Sequence, residues 1–143
     1  MKCQIGKLVV PIVKLKVFIT DDSATIRDRL VTMVLDLPEM VVVGQSQDAP
    51  EVLDAIHQTQ PDVVILDIRL PGGSGMDVLR QLKKARPAPK VIMLSSYSYP
   101  QYRKACEAAG ADFFFDKSTE FDKIPYALER LRQGRRAAPD ADV

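Results

Sequence analysis

The feature that most constrains the fold is a series of five short apolar runs, rich in β-branched or aromatic residues. They read VFI, VVV, VVIL, VIML and FFF, at residues 17–19, 41–43, 63–66, 91–94 and 113–115. The runs are continuous rather than alternating, which is typical of strands buried on both faces of a parallel sheet. About 20 residues separate successive runs, enough for the crossover helix that a parallel strand pair requires.

Helix signals fill the gaps between these runs. Asp48 is placed to cap a helix, with Glu51 three residues later, and Gly110 is placed to end another helix. Five predicted strands therefore alternate with five predicted helices, which indicates an α/β fold with a doubly wound parallel sheet. Residues 1–15 precede this pattern. They could form an extra edge strand or a disordered leader, or the start of the protein could have been assigned too far upstream. Residues 134–143 are predicted to form a flexible tail.

Composition sets broad limits on the function. A chain of 143 residues is expected to form one domain, here over residues 16–133, with a core large enough to fold without metal or disulfide staples. The net charge of +1 gives no indication of nucleic-acid or membrane binding. Cys3 and Cys106 fit no metal-binding or disulfide spacing, so we predict reduced thiols and a cytoplasmic location.

Chemically active residues follow four of the five predicted strands. Asp21 and Asp22 follow the first strand, Asp67 the third, Ser95 the fourth and Lys117 the fifth. Sites in open α/β sheets form at these carboxyl ends, so we expect the side chains to meet. Clustered carboxylates repel unless a cation joins them, and the donor set suits Mg²⁺. With a lysine and a hydroxyl nearby, a carboxylate at a strand tip is suited to accept a phosphoryl group.

The segments FITDDS, VVILDIRLPGGSGMDVLRQL, VIMLSS and GADFFFDKS resemble the successive motifs of the receiver domain of two-component response regulators. The resemblance covers residues 16–133 in order, and the combined pattern is far more specific than any one segment. It implies a flavodoxin-like sheet of strand order 2-1-3-4-5. It also implies a signalling domain rather than an enzyme, phosphorylated by a sensor histidine kinase or a phosphotransfer protein.

The resemblance implies a role for each site residue. Asp67 matches the phosphoacceptor, and Lys117 would pair with the phosphoryl oxygens. Asp22 and Asp67 would bind Mg²⁺ directly and Asp21 mainly through water, with the backbone carbonyl of Arg69 completing the protein ligands.

Two further positions match the switch through which receivers respond. Ser95 matches the switch hydroxyl, and Phe114 matches an aromatic position where tyrosine is common. Lys117 is followed by serine instead of the frequent proline, and Asp116 replaces a residue that is usually apolar. The first departure removes a Lys-Pro bond that is often cis in this family, and Asp116 has no explanation from sequence.

The residues two positions beyond Asp67 and Ser95 are Arg69 and Tyr97, and in this family those positions tune water access to the acyl phosphate. Because both side chains are bulky, we predict slow autodephosphorylation.

Tyr97, Tyr99 and Tyr102 cluster after the fourth strand. We predict that they belong to a face, formed by the fourth helix, fifth strand and fifth helix, that binds a downstream protein. Phosphorylation is also compatible with formation of a homodimer.

Two alternative functions remain. A phosphatase of the haloacid dehalogenase type also has a nucleophilic aspartate at a strand tip, but its second acid is replaced here by Arg69, which cannot act as a general acid at neutral pH. The chain also resembles the receiver portion of a transcriptional regulator. About ten residues follow the predicted last helix, too few for a helix-turn-helix domain, so we predict no direct DNA binding by this chain.

Overall fold

The computed structural model describes the backbone of residues 2–5, 8–11 and 13–137, and the side chains of residues 13–134. Its main element is a five-stranded parallel sheet with flanking helices. In chain order after an N-terminal hairpin (β1, Lys2–Ile5; β2, Leu8–Pro11), the elements are β3 (Leu15–Thr20), α1 (Ala24–Leu35), β4 (Met40–Ser46), α2 (Ala49–Thr59), β5 (Val63–Asp67), β6 (Arg69–Leu70), β7 (Gly73–Ser74), α3 (Gly75–Leu82), β8 (Lys90–Ser95), α4 (Pro100–Ala108), β9 (Phe113–Asp116), a 3₁₀ turn (Phe121–Lys123) and α5 (Ile124–Ala137).

The sheet has the strand order β4-β3-β5-β8-β9, and every neighbouring pair is parallel. Counted in chain order within this sheet, that is 2-1-3-4-5, so the predicted flavodoxin-like topology is confirmed. Each of the five apolar runs lies inside one of these strands. The five predicted helices are also present.

Alternate residues of the strands serve two separate cores. Val63 and Ile65 of β5 pack with α1 and α5, whereas Val64 and Leu66 pack with α2, α3 and α4. All five residues of β5 are buried. The strand that ends at Asp67 is therefore supported from both faces, which explains why its apolar run is continuous.

The predicted capping residues lie at the start of α2 and just after the end of α4. The carboxylate of Asp48 accepts a hydrogen bond from the backbone N–H of Glu51 at 3.2 Å, which caps α2. Gly110 follows α4 with a φ of 103°, a left-handed conformation that glycine adopts without steric cost.

The structure adds detail at both ends of the predicted domain. The N-terminal hairpin β1–β2 forms its own antiparallel two-stranded sheet, in which Lys2 pairs with Pro11 and Ile5 with Leu8. The predicted tail was to begin at residue 134, but α5 continues to Ala137. A single glycine such as Gly134 costs a helix about 1 kcal/mol without ending it. Residues 138–143 lie outside the described part of the chain.

Candidate functional site

The predicted site residues meet at the carboxyl end of the sheet. Asp67 is the last residue of β5, and Asp21 directly follows β3. Lys117 directly follows β9 and reaches back across the sheet edge. Asp67 and Asp21 are 4% and 0% exposed, so this is a buried pair of acids and not a solvated acidic surface.

The ammonium group of Lys117 joins the two buried acids. Its Nζ lies 2.7 Å from Oδ2 of Asp67 and 2.7 Å from Oδ2 of Asp21. Burial alone would lower the pKa of Lys117, but hydrogen bonding and charge attraction to the two carboxylates outweigh it and raise that pKa. Lys117 is therefore charged at neutral pH and acts as the counterion of the site.

The two carboxylate oxygens of Asp21 have different partners. Its Oδ1 accepts a hydrogen bond from the backbone N–H of Ser23 at 2.9 Å. Its Oδ2 is buried, and its partner is the Lys117 ammonium at 2.7 Å. Because the same ammonium is shared with Asp67, it only partly balances the negative charge of the two buried carboxylates.

Three carboxylates of the site converge in a way that suits a cation. Asp21, Asp22 and Asp67 each offer an oxygen, and these oxygens all lie within 4.8 Å of one another. Asp22 is exposed, so one side of the cluster is open to solvent. An all-oxygen donor set with room for waters is what Mg²⁺ prefers, and the residues present fit that ion.

The carboxyl group of Asp67 has an unusual proton affinity. Its pKa is raised from 3.8 to about 6, and the causes of the rise are burial, which is the largest, and the neighbouring charge of Asp21. Hydrogen bonding and charge attraction to Lys117, with the backbone N–H of Arg69 donating at 3.2 Å, oppose the rise without cancelling it. The ionised acid is therefore held in a position where its charge is only partly compensated.

The backbone of Asp67 is also positioned by specific contacts. Its N–H donates to the hydroxyl of Thr20 at 3.3 Å, and Thr20 is fully buried at the end of β3. A side chain at residue 75 would collide with Asp67, since an added Cβ there would lie 1.9 Å from the Asp67 carbonyl oxygen. The sequence prediction missed Thr20, although a hydroxyl ending an otherwise apolar strand was a visible signal.

Ser95 lies on β8 beside β5, but its hydroxyl is directed into its own loop. Oγ accepts a hydrogen bond from the backbone N–H of Tyr97 at 2.9 Å and donates to the Tyr97 carbonyl at 3.3 Å. The side chain of Tyr97 lies beside that of Arg69, whose guanidinium carbon is 4.8 Å from the ring centroid. The structure therefore brings the two bulky residues together above the strand ends.

The aromatic residues predicted for the switch and the partner face lie around α4. Phe114 on β9 is partly buried, and the guanidinium carbon of Arg103 is 4.8 Å from its ring centroid. Tyr97, Tyr99 and Tyr102 are 40%, 55% and 40% exposed. The rings of Tyr99 and Tyr102 are in contact, with centroids 5.9 Å apart.

Asp116, which the sequence left unexplained, organises the turn after β9. Its Oδ1 accepts hydrogen bonds from the backbone N–H groups of Ser118 at 2.7 Å and Thr119 at 3.1 Å. Its Oδ2 accepts from the hydroxyl of Ser98. These bonds to the carboxylate, led by that of Ser98, lower the pKa of Asp116. A carboxylate cap thus shapes the turn that begins at Lys117.

Comparison with known proteins identifies this arrangement. Residues 17–129 match the model of the response regulator receiver domain. The chain belongs to this family. Phosphorylation on an aspartate is inherent to receivers, and the acidic cluster is compatible with their Mg²⁺ requirement. No helix in the described part of this receiver is long and apolar enough to span a membrane.

Solved receivers share the fold. The chain is similar to the response regulator domain of Thermotoga maritima CheB, with a TM-score of 0.74 and 30% identity over 88% of this chain and 99% of that one. It is also similar to the signal receiver domain of the putative response regulator NarL of Mycobacterium tuberculosis, with a TM-score of 0.78 and 27% identity over 86% of this chain and 99% of that one.

Curated relatives are longer than this chain. A protein-glutamate methylesterase/protein-glutamine glutaminase of Carboxydothermus hydrogenoformans is 40% identical over 116 residues, which are 80% of this chain and 34% of that protein. The transcriptional regulatory protein YvfU of Bacillus subtilis is 35% identical over 123 residues, 85% of this chain and 61% of that protein. The match with each relative therefore spans between about a third and three fifths of its length.

Proposed function

We propose that this chain is a phosphoacceptor module in which Asp67 receives a phosphoryl group from a histidine kinase or a phosphotransfer protein. The observation that carries the proposal is the bridging position of Lys117, 2.7 Å from both Asp67 and Asp21. Once Asp67 is modified, the same ammonium is in reach of the new phosphoryl oxygens. Asp67 would attack phosphorus through a carboxylate oxygen, and the bond between phosphorus and the donor's leaving group would break.

Mg²⁺ is the proposed cofactor. Asp22 and Asp67 would bind it directly and Asp21 mainly through water, with the backbone carbonyl of Arg69 as a further ligand. The convergence of the three carboxylates, with the Lys117 ammonium shared between the two buried ones, supports this assignment. When bound, the ion would neutralise charge on the transferring group, which is the largest electrostatic demand of phosphoryl transfer.

Phosphorylation would then change the surface of the domain. Ser95 would leave its bonds to Tyr97 and donate its hydroxyl to the phosphoryl group, and Phe114 would rotate inward into the space this creates. Such a switch biases two existing conformations rather than forming a new one. The exposed rings of Tyr97, Tyr99 and Tyr102 support a protein-binding role for the α4–β9–α5 face.

The whole module is proposed to be residues 16–133, acting as a signalling domain without a reaction of its own beyond its phosphorylation and dephosphorylation. Arg69 argues against the phosphatase alternative, because its guanidinium cannot protonate a leaving group. The downstream partner is proposed to be a protein and not DNA, and a cytoplasmic location suits a partner of a sensor kinase. A homodimer formed on phosphorylation would use the same kind of switched surface.

Slow loss of the phosphoryl group is part of the proposal. The contact between Arg69 and Tyr97 supports it, because both side chains stand near the strand ends through which water would approach. The label on Asp67 should persist in the wild type and be lost several-fold faster in Arg69→Asn and Tyr97→Ala. Rapid loss that neither substitution changes would contradict this point.

The central experiment is labelling with acetyl phosphate and Mg²⁺. We expect one phosphoryl adduct per chain, stable in acid and labile in base, located at Asp67 by mass spectrometry. Asp67→Asn should remain unlabelled, whereas Asp77→Asn, at an aspartate whose side chain is 78% exposed on α3, should label like the wild type. An unlabelled wild type, or equal labelling of Asp67→Asn, would reject the proposed function.

A further inference from the structure

Arg103 of α4 makes three contacts with the segment that carries Lys117. Its Nη1 donates to the backbone carbonyl of Phe114 at 3.2 Å. Its guanidinium carbon stands 4.8 Å from the centroid of the Phe114 ring. Its Nη2 forms a charge-assisted hydrogen bond with Oε1 of Glu120. One side chain thus holds the backbone, the aromatic ring and the loop after β9.

Glu120 extends this contact to the turn at Lys117. The same Oε1 accepts the backbone N–H of Asp116 at 3.0 Å, and the backbone N–H of Glu120 donates to the Asp116 carbonyl at 2.9 Å. The bond to Arg103 is the largest cause of a lowered pKa at Glu120, so this carboxylate is ionised at neutral pH. Arg103 is therefore connected to Lys117 through one carboxylate and one turn.

The turn is tied on its other side to the loop that carries the switch hydroxyl. The backbone N–H of Lys117 donates to the carbonyl of Ser95 at 2.9 Å, and the hydroxyl of Ser98 donates to the carboxylate of Asp116. Movement of Ser95 toward a phosphoryl group would therefore strain the turn. The connections from Arg103 oppose that movement.

We propose that Arg103 is a positioning residue that stabilises the unphosphorylated conformation by holding Phe114 in its partly buried position. This inference rests on the proposed function, because it assigns a residue to the switch of that same site. The contact between the Arg103 guanidinium and the Phe114 ring depends on the present orientation of that ring. Rotation of Phe114 would break the contact. The contacts of Arg103 therefore lower the population of the switched conformation, which a phosphoryl group on Asp67 must raise.

The consequence is a change in affinity of a predictable sign. Removing the guanidinium destabilises the present conformation relative to the switched one, and a ligand that prefers the switched conformation then binds more tightly. The cation–π contact of Arg103 and its ion pair with Glu120 are both partly exposed, so each is weak. Losing both should increase the affinity for a ligand that prefers the switched conformation by about fivefold.

Beryllofluoride, titrated at saturating Mg²⁺ and followed by the amide resonances of Lys117 and Ser95, tests the inference. Arg103→Gln should bind about fivefold more tightly than the wild type, and Glu120→Gln should bind more tightly by a smaller factor. Arg103→Lys, which retains the charge but not the planar group, should fall between the wild type and Arg103→Gln. Arg80→Gln, at an exposed arginine of α3 paired with Asp77, is the matched control and should leave the affinity unchanged.

The outcomes separate the two proposals. If the wild type binds no beryllofluoride, the proposed function fails and the inference fails with it. If the wild type binds and Arg103→Gln binds equally or less tightly, only the role of Arg103 is rejected. A purely structural role would lower the stability of Arg103→Gln to urea without raising its affinity. If Arg103→Gln does not fold, the beryllofluoride affinity of Glu120→Gln is compared with that of the wild type instead. An affinity that is equal or lower in Glu120→Gln then rejects the role of Arg103.

Discussion

Asp67 is held where its negative charge is only partly balanced. Burial and the nearby charge of Asp21 raise its pKa to about 6, while Lys117 limits the rise. In the unfolded chain the group should titrate near the ordinary value of 3.8. Between these two values the folded protein binds the proton more tightly than the unfolded protein does. The stability of the metal-free protein should therefore fall as the pH rises from about 4 to above 6.

Replacing Asp67 by asparagine should remove this cost. In metal-free buffer at pH 8 we expect Asp67→Asn to stabilise the protein by about 2 kcal/mol, a gain that shrinks toward pH 4. Urea unfolding at several pH values measures it, with the exposed Asp77→Asn as control. A variant that is less stable than the wild type at pH 8 would show that the ion pair with Lys117 outweighs the burial cost.

At the scale of elements, the start of α3 is packed directly against the end of β5. The backbone N–H of Gly75 donates to the carbonyl of Ile68 at 2.6 Å, and an added Cβ would lie 1.9 Å from the Asp67 carbonyl oxygen. A strand end and a helix start can approach this closely only because residue 75 has no side chain. The position of Asp67 thus depends on α3 as well as on its own strand.

Gly75→Ala should consequently displace α3 or the end of β5. We expect a loss of about 2–3 kcal/mol in the free energy of unfolding, together with weaker binding of Mg²⁺ and beryllofluoride. Gly134→Ala in α5 is the matched comparison, because an added Cβ there would meet nothing within 4 Å. That substitution should stabilise the protein by about 0.5–1 kcal/mol and leave ligand binding unchanged. Equal effects of the two would contradict the packing argument.

The elements were predictable because burial on both sides of a parallel sheet leaves a continuous apolar run in the sequence. VVIL at residues 63–66 indicated both the central strand and the acid at its tip, and the structure places that acid beside Lys117. The hydroxyl orientation of Ser95 was not predictable, since it depends on the loop geometry at Tyr97. The contacts of Arg103 and Asp116 depend on pairs formed between separate loops, which apolar periodicity does not report.

At the scale of the whole molecule, the parallel sheet divides two apolar cores, and among the described side chains the buried ones that form them come from residues 15–128. The hairpin β1–β2 forms a two-stranded sheet of its own. Because the family match covers residues 17–129 and side chains from residue 15 onward contribute to both cores, we predict that the receiver folds without its first 12 residues. The chain from residue 13 should match the full chain in stability to urea within about 0.5 kcal/mol and in beryllofluoride affinity. A loss of several kcal/mol would assign the hairpin to the folded unit.

The bridging ammonium of Lys117 has a last consequence, for the response of the site to ionic strength. Asp21, Asp22 and Asp67, when ionised, leave a net charge of −2 after Lys117 is counted, and a bound divalent ion would bring that charge to zero. Mg²⁺ affinity should therefore fall several-fold as KCl rises, since mobile ions screen the attraction of this negative site for an approaching cation on its solvent-open side at Asp22. Beryllofluoride added to the Mg²⁺-saturated protein meets a nearly neutral site, so its affinity should depend much less on salt.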